Sequence, residues 1–175
     1  MASIGLFCGL LYVFLIEKTG YNNHYYLILL LSFFFSITNA NKSISLDNCF
    51  GIVKSGSWIP NWQTMLFQFQ IIVVYFYGGL AKLNAEWLSG RVMGVMMSQL
   101  IPGEEDHFLE IIANLVLTHG GLWFDLVIGF LLLSKKTRSW AVLVIIPFHV
   151  TNHFLFNIGV FPFMMLGATM AQRKI

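Results

Sequence analysis

The sequence predicts an all-α fold, a polytopic bundle of about five or six membrane segments. Composition is the first reason. Of 175 residues, 57% are hydrophobic and only 10% are charged, where a soluble domain usually carries about a quarter charged residues. Mean hydropathy, at +0.73, agrees. The third reason is the layout, in which long apolar runs alternate with short polar stretches, as helices crossing a bilayer require. The chain reads as a single transmembrane domain over residues 1–175.

The same composition excludes other classes. Ten Lys and Arg with eight Asp and Glu cannot give a folded domain a water-compatible surface, so a soluble enzyme is ruled out. A net charge of +2, scattered along the chain, cannot make a phosphate-binding face, and no nucleic-acid partner is expected. Two cysteines, Cys8 and Cys49, cannot form a disulfide framework or a thiolate metal site.

Each run can be justified in order. Residues 2–16 are apolar but span fifteen positions, short of the roughly 20 that a spanning helix needs. They lack the basic start and small-residue cleavage site of a signal peptide, so they read as the visible end of a span. A polar hinge, Glu17 to His24, follows, and residues 25–38 form the second run. A polar loop from Asn39 to Gln63 contains Gly51, Gly56 and Pro60 as breakers. Residues 64–83 form the third run, with Gln68, Gln70 and Lys82 embedded in it. The segment from Asn84 to His107 reads as a loop with an acidic cluster, Glu104 to Asp106. The fourth run covers about 108–134. A basic turn, Lys135 to Arg138, precedes a long stretch to Ala171 that Pro147, Gly159 and Pro162 should break into a span and a shorter element.

Short-loop basic residues set orientation. The turn at 135–138 should face the cytoplasm, which places 84–107 and 17–24 outside and 39–63 inside. His24 and Lys82 then occupy the outer ends of neighbouring spans, where they could meet.

Polar residues inside spans are the functional candidates. Lys82 follows Gly78 and Gly79. It either snorkels to the interface or serves a site that the paired glycines open to another backbone or a flat ligand. Desolvation favours an amine's neutral form, and a neutral amine can act as a base. Glu110, Asn114, Thr118, Gly121 and Asp125 fall within about 80° on a wheel of 100° per residue. This stripe should face the bundle interior, as interhelical hydrogen bonding or as a pathway. His119 lies opposite if the helix stays regular. His149 and His153, four apart, lack the glutamate of H-E-x-x-H and a third ligand, so no metal is expected and a polar lining is the better reading.

Four long blocks carry a further signal. YVFLIEKTGYNNHYYL, IIVVYFYGGLAKLNAEWLSG, LTHGGLWFDLVIGFLLL and FHVTNHFLFNIGVFPFMML resemble, in order and approximate spacing, blocks of the vitamin K-dependent γ-glutamyl carboxylase family. The resemblance covers almost the whole chain. It implies the membrane catalytic core of a longer protein, whose lumenal C-terminal domain for propeptide recognition is not in this sequence.

The implied reaction has two coupled parts. Reduced vitamin K, the hydroquinone, is deprotonated and oxidised by O₂ to the epoxide. The base formed on the way removes a γ-proton from a glutamate of a protein substrate, and the carbanion captures CO₂. The family's G-x-K-K-L-D-A-D-W block holds the initiating lysine. Here it reads GGLAKLNAEW, which puts Lys82 at the second lysine, Ala81 at the first, and Asn84 and Glu86 at the aspartates. The family's W-N-N-H block reads YNNH, keeping Asn23 and His24 with Tyr21 in place of tryptophan. The acid before K-T is Glu17 rather than aspartate. His149 corresponds to the histidine of the F-H block. The resemblance thus implies Lys82 and His24 as catalytic, with Asn23 and His149 supporting. The departures touch fine geometry rather than chemistry.

A lipid-soluble quinol needs an apolar, aromatic entry, and Tyr77, Gly78 and Gly79 offer one beside Lys82. The implied location is the endoplasmic reticulum membrane with a lumenal site in a eukaryote, or the cytoplasmic membrane in a bacterium. Two other classes stay open. One is a non-catalytic quinone- or lipid-binding membrane protein in which Lys82 anchors a head group. The other is a proton or solute carrier using the stripe from Glu110 to Asp125.

Overall fold

The computed structural model describes residues 2–17, 23–39, 46–54, 56, 60–100, 107–156 and 159–171. Expectations resting on Tyr21, Asn22, the acidic cluster 104–106, Asn157, Arg173 and Lys174 lie outside these residues. Every regular element among them is helical. Three helices are long and apolar enough to cross a membrane: Asn61–Ala81, Leu115–Leu133 and Arg138–Phe156. Two shorter apolar helices, Ala2–Ile16 and Asn23–Ile37, accompany them. The fold is an all-α membrane helix bundle, and the described residues fall into two compact units, 1–67 and 68–175.

In the first unit, α1 (Ala2–Ile16) and α2 (Asn23–Ile37) pack as an antiparallel pair. Aromatic contacts tie them at both ends, Phe7 to Phe33 with centroids 5.3 Å apart and Phe14 to Tyr26 at 6.2 Å. Fifteen residues rise only about 22 Å at 1.5 Å each, so each is shorter than the hydrocarbon core. A single helical turn, α3 (Leu46–Cys49), interrupts the expected polar loop. Gln63, near the start of α4 (Asn61–Ala81), accepts a hydrogen bond from the Asn39 backbone N–H at 3.0 Å. Cys8 and Cys49 are both free and exposed.

The second unit begins within α4 and contains the deeper core, including Ile71, Leu132, Ile145 and Met165. The segment after Asn84, expected as a loop, instead holds two helices, α5 (Ala85–Leu88) and α6 (Arg91–Leu100). Gly90, at φ 73°, makes the turn between them, a conformation that costs glycine little. Loop composition misled here because α6 is short and amphipathic, and its stability comes from packing on neighbouring helices. The fourth run is also not one regular helix. It opens as α7 (His107–Ile112), continues as a π-helical segment, Ala113–Gly120, and becomes α8 (Gly121–Leu133).

The basic turn works as a helix terminus. Thr137 Oγ1 donates to the Leu131 carbonyl at 2.7 Å and Arg138 Nε to the Leu132 carbonyl at 3.0 Å, satisfying acceptors that the end of α8 leaves open. Lys135 and Lys136 remain exposed. Pro147 does not break the next helix, α9 (Arg138–Phe156), since neighbouring helices tolerate proline inside a span. The break comes at Gly159, with φ 58°. Pro162 then sits in the first turn of α10 (Phe161–Ala171), where its missing N–H costs nothing.

Orientation gives the first testable outcome. In a chain with Cys8 and Cys49 replaced, single cysteines at Glu86 and Lys136 should label from opposite faces of sealed vesicles. Labelling of both from one face would overturn the assignment of 135–138 to the cytoplasmic side.

Candidate functional site

Lys82 is presented by the way α4 ends. The Lys82 N–H bonds the Gly79 carbonyl and the Leu83 N–H the Leu80 carbonyl, both at 3.0 Å, so the final turn tightens to i→i+3 spacing. Asn84 then starts α5 from an extended backbone, φ −133° and ψ 160°. Its side-chain oxygen accepts the Trp87 N–H at 2.9 Å, as an N-cap asparagine should. That cap swings Trp87 back over the preceding lysine. The Lys82 ammonium lies 5.0 Å from the centre of the Trp87 ring and 5.9 Å from that of Phe148, within cation–π range.

Trp87 is itself anchored. Its indole Nε1–H donates to the Thr118 carbonyl at 3.0 Å. Thr118 lies in the π segment, and its carbonyl also receives the Gly121 N–H where the ladder returns to α spacing. A change of ladder leaves carbonyls poorly served, and π segments recur at functional sites for that reason.

The centre of the site is an ion pair between Lys82 Nζ and Asp125 Oδ2. The two side chains are 18% and 10% exposed, so the pair is largely withdrawn from solvent yet still reachable. Glycines make this approach of α4 and α8 feasible. A Cβ on Gly78 would lie 3.4 Å from the Asp125 carboxylate oxygen, and one on Gly79 would meet Leu126 side-chain carbons at 2.7 Å. On α8, a Cβ on Gly129 would lie 3.2 Å from Ile72 Cα. Small residues at such crossings let helices approach closely. Gly79→Ala should therefore cost about 1–3 kcal/mol of stability through overpacking. Thermal unfolding in detergent checks this, and an unchanged midpoint would show that α8 can shift freely.

A second polar contact lies two helical turns earlier on α4. The Tyr75 hydroxyl and His149 Nε2 are 2.8 Å apart, and both side chains are buried. Between this pair and Lys82 stand Phe124 and Phe148, stacked with centroids 3.7 Å apart. Tyr75 meets Phe124 edge-on at 6.0 Å.

The residues expected from the sequence are distributed unevenly. Lys82, Gly78, Gly79 and His149 belong to the second unit, and Lys82, Gly78 and Gly79 converge on Asp125. Gly79 opens space for a neighbouring helix rather than for a ligand. Asn23 is exposed and His24 half-buried at the start of α2, in the first unit. Tyr77 is 65% exposed on the outer face of α4, whereas Tyr75 is 3% exposed. Thr118 and Asp125 of the polar stripe are buried and Gly121 is half-buried, while His119 is exposed. The backbones of Glu110 and Asn114 are helical, and their side chains lie outside the described residues. No group of three or more His, Cys, Asp or Glu that could hold a metal occurs among the described residues.

Sequence reasoning missed the roles of Tyr75, Trp87 and Asp125. Part of the signal was available. Tyr75 and Lys82 are seven apart and share a face of α4, while Tyr77 lies nearly opposite at 100° per residue. The cap at Asn84 that turns Trp87 inward belongs to a segment read as loop.

No solved structure matches the chain. The HTTM domain family does, over residues 1–172. The blocks around Lys82 and the helix bundle that carries it agree with that match, and the chain belongs to the HTTM family, the membrane domain of vitamin K-dependent γ-glutamyl carboxylase and related proteins.

Proposed function

We propose that this chain is the membrane core of a vitamin K-dependent γ-glutamyl carboxylase, with Lys82 as the base that starts the reaction. The observation that carries this reading is the placement of Lys82. Its amine is paired with a largely buried carboxylate, flanked by the Trp87 and Phe148 rings, and still partly reachable.

These residues suit a flat, apolar diol. Phe124, Phe148 and Trp87 provide aromatic surface, and the amine provides one polar end. When bound, reduced vitamin K would supply the oxidisable ring whose reaction with O₂ drives glutamate deprotonation and CO₂ addition. Lys82 would receive the hydroxyl proton at Nζ. Asp125 would hold the resulting ammonium in place, since opposite charge at contact distance stabilises it. The surrounding rings exclude water, which strengthens these interactions and protects a carbanion from adventitious protonation. Asn23 and His24 would reach the same site from the outer end of α2 and orient substrate there. His24→Ala should lower the rate less than loss of Lys82, because orienting a base is worth less than being one.

The test supplies the chain in membranes with reduced vitamin K, labelled CO₂ and a glutamate-containing peptide. The expected result is epoxide formation together with label in the peptide. Absence of both products would refute the reading. A non-catalytic anchor role for Lys82 predicts quinol binding with neither product. The carrier alternative predicts potential-dependent proton flux, but pairing of Asp125 with Lys82 leaves that carboxylate poorly placed to cycle protons.

A further inference from the structure

Three polar side chains in the second unit are more deeply buried than the Lys82–Asp125 pair. Tyr75 is 3% exposed, His149 2% and Thr169 1%. They come from α4, α9 and α10. Tyr75 occupies His149 Nε2, while the Nδ1 atom of the same ring and the Thr169 hydroxyl have no hydrogen-bond partner. Buried polar atoms in native proteins are nearly always paired, with protein, water or ligand. Two orphans in a helix bundle therefore call for an occupant.

The chemistry of the cluster narrows what that occupant is. It contains no cation, so nothing in it favours an anion. A hydroxyl can both donate and accept, so it satisfies His149 Nδ1 whichever tautomer the bond to Tyr75 selects. A carbonyl could serve only one tautomer. Aromatic rings connect the cluster to Lys82. The Phe148 ring lies 5.9 Å from the Lys82 amine and 5.5 Å from the His149 ring, and it stacks on Phe124.

We infer that His149 Nδ1 and the Thr169 hydroxyl form a second polar contact, which binds the far hydroxyl of an aromatic diol whose near hydroxyl faces Lys82. This deepens the proposed function and rests on a quinol binding at Lys82. It makes the ligand two-ended: one hydroxyl is addressed by an amine and the other by a neutral imidazole. The cluster thereby distinguishes a hydroquinone from a ring with only one free hydroxyl.

The probes are 2-methyl-1,4-naphthohydroquinone and its two monomethyl ethers, bound anaerobically to the purified full chain. In the wild-type protein one ether, blocked at the far position, should bind about three- to tenfold more weakly than the diol, the worth of one net hydrogen bond. His149→Phe and Thr169→Val should each shrink that ratio toward one. The ratio for the other ether, set at Lys82, should not move. A merely structural role would weaken all three ligands alike. Thr169→Val is nearly isosteric and keeps the test decisive if His149→Phe folds poorly. Persistence of the far-ether ratio in both variants would overturn the inference while leaving the proposed function intact. Equal binding of diol and both ethers to the wild type would do the same, marking the cluster as a water site. Failure of the diol to bind at all would overturn both.

Discussion

Replacing Lys82 by arginine should abolish vitamin K epoxidation nearly as completely as replacing it by alanine. A positioned general base contributes on the order of 10² to 10⁴ in rate, and a guanidinium does not give up its proton at working pH. The structure makes arginine the better of the two variants. A guanidinium can still pair with the Asp125 carboxylate, in the bidentate geometry that suits it. Lys82→Arg should therefore fold like the wild type, and its inactivity could not be attributed to a collapsed site. An anchor role makes the opposite forecast, because a retained cation would still hold a polar head group. Epoxide formation by purified Lys82→Arg at close to the wild-type rate would remove Lys82 as the base.

The second large effect concerns stability. Asp125→Ala leaves the Lys82 ammonium without its partner in a site largely closed to water. Breaking a buried ion pair by deleting one member typically costs about 3–5 kcal/mol, because an uncompensated charge is left behind. Lys82→Ala should cost a similar amount for the converse reason. Replacing both members by apolar residues of similar volume, as in Lys82→Met with Asp125→Leu, removes the orphaned charge. That double variant should regain most of the lost stability while remaining inactive. A double-mutant cycle read by thermal unfolding in detergent measures the coupling. Additive losses in the two single variants and the double would show that the pair contributes nothing to the fold.

The two experiments separate the roles of the same contact. Stability recovered without activity assigns the amine to chemistry and the carboxylate to holding it. The pairing also bears on Gly78 and Gly79. They first read as space for a ligand, yet their missing Cβ atoms bring α8 close enough for Asp125 to reach the lysine. Small residues here serve the site through helix packing.

Much of the architecture was legible from the residues alone. A low charge content with long apolar runs dictates membrane helices, because unpaired backbone groups are not tolerated in hydrocarbon. The runs around 64–83, 108–134 and 138–171 became helices near those bounds, since burial of apolar side chains depends mainly on local composition. Lys82 stood out for the same local reason, an amine at the edge of an apolar span beside two glycines. Tertiary structure decided the rest. Asp125 is 43 residues from Lys82 in sequence, and no periodicity within one helix can reveal which partner another helix will offer. The π segment at Ala113–Gly120 is equally invisible to a wheel drawn at constant pitch. Trp87 reaches the lysine only through the Asn84 cap and the carbonyl that the π segment presents. Composition and periodicity act along the chain, whereas the site is made by contacts across it, and those exist only once the helices have packed.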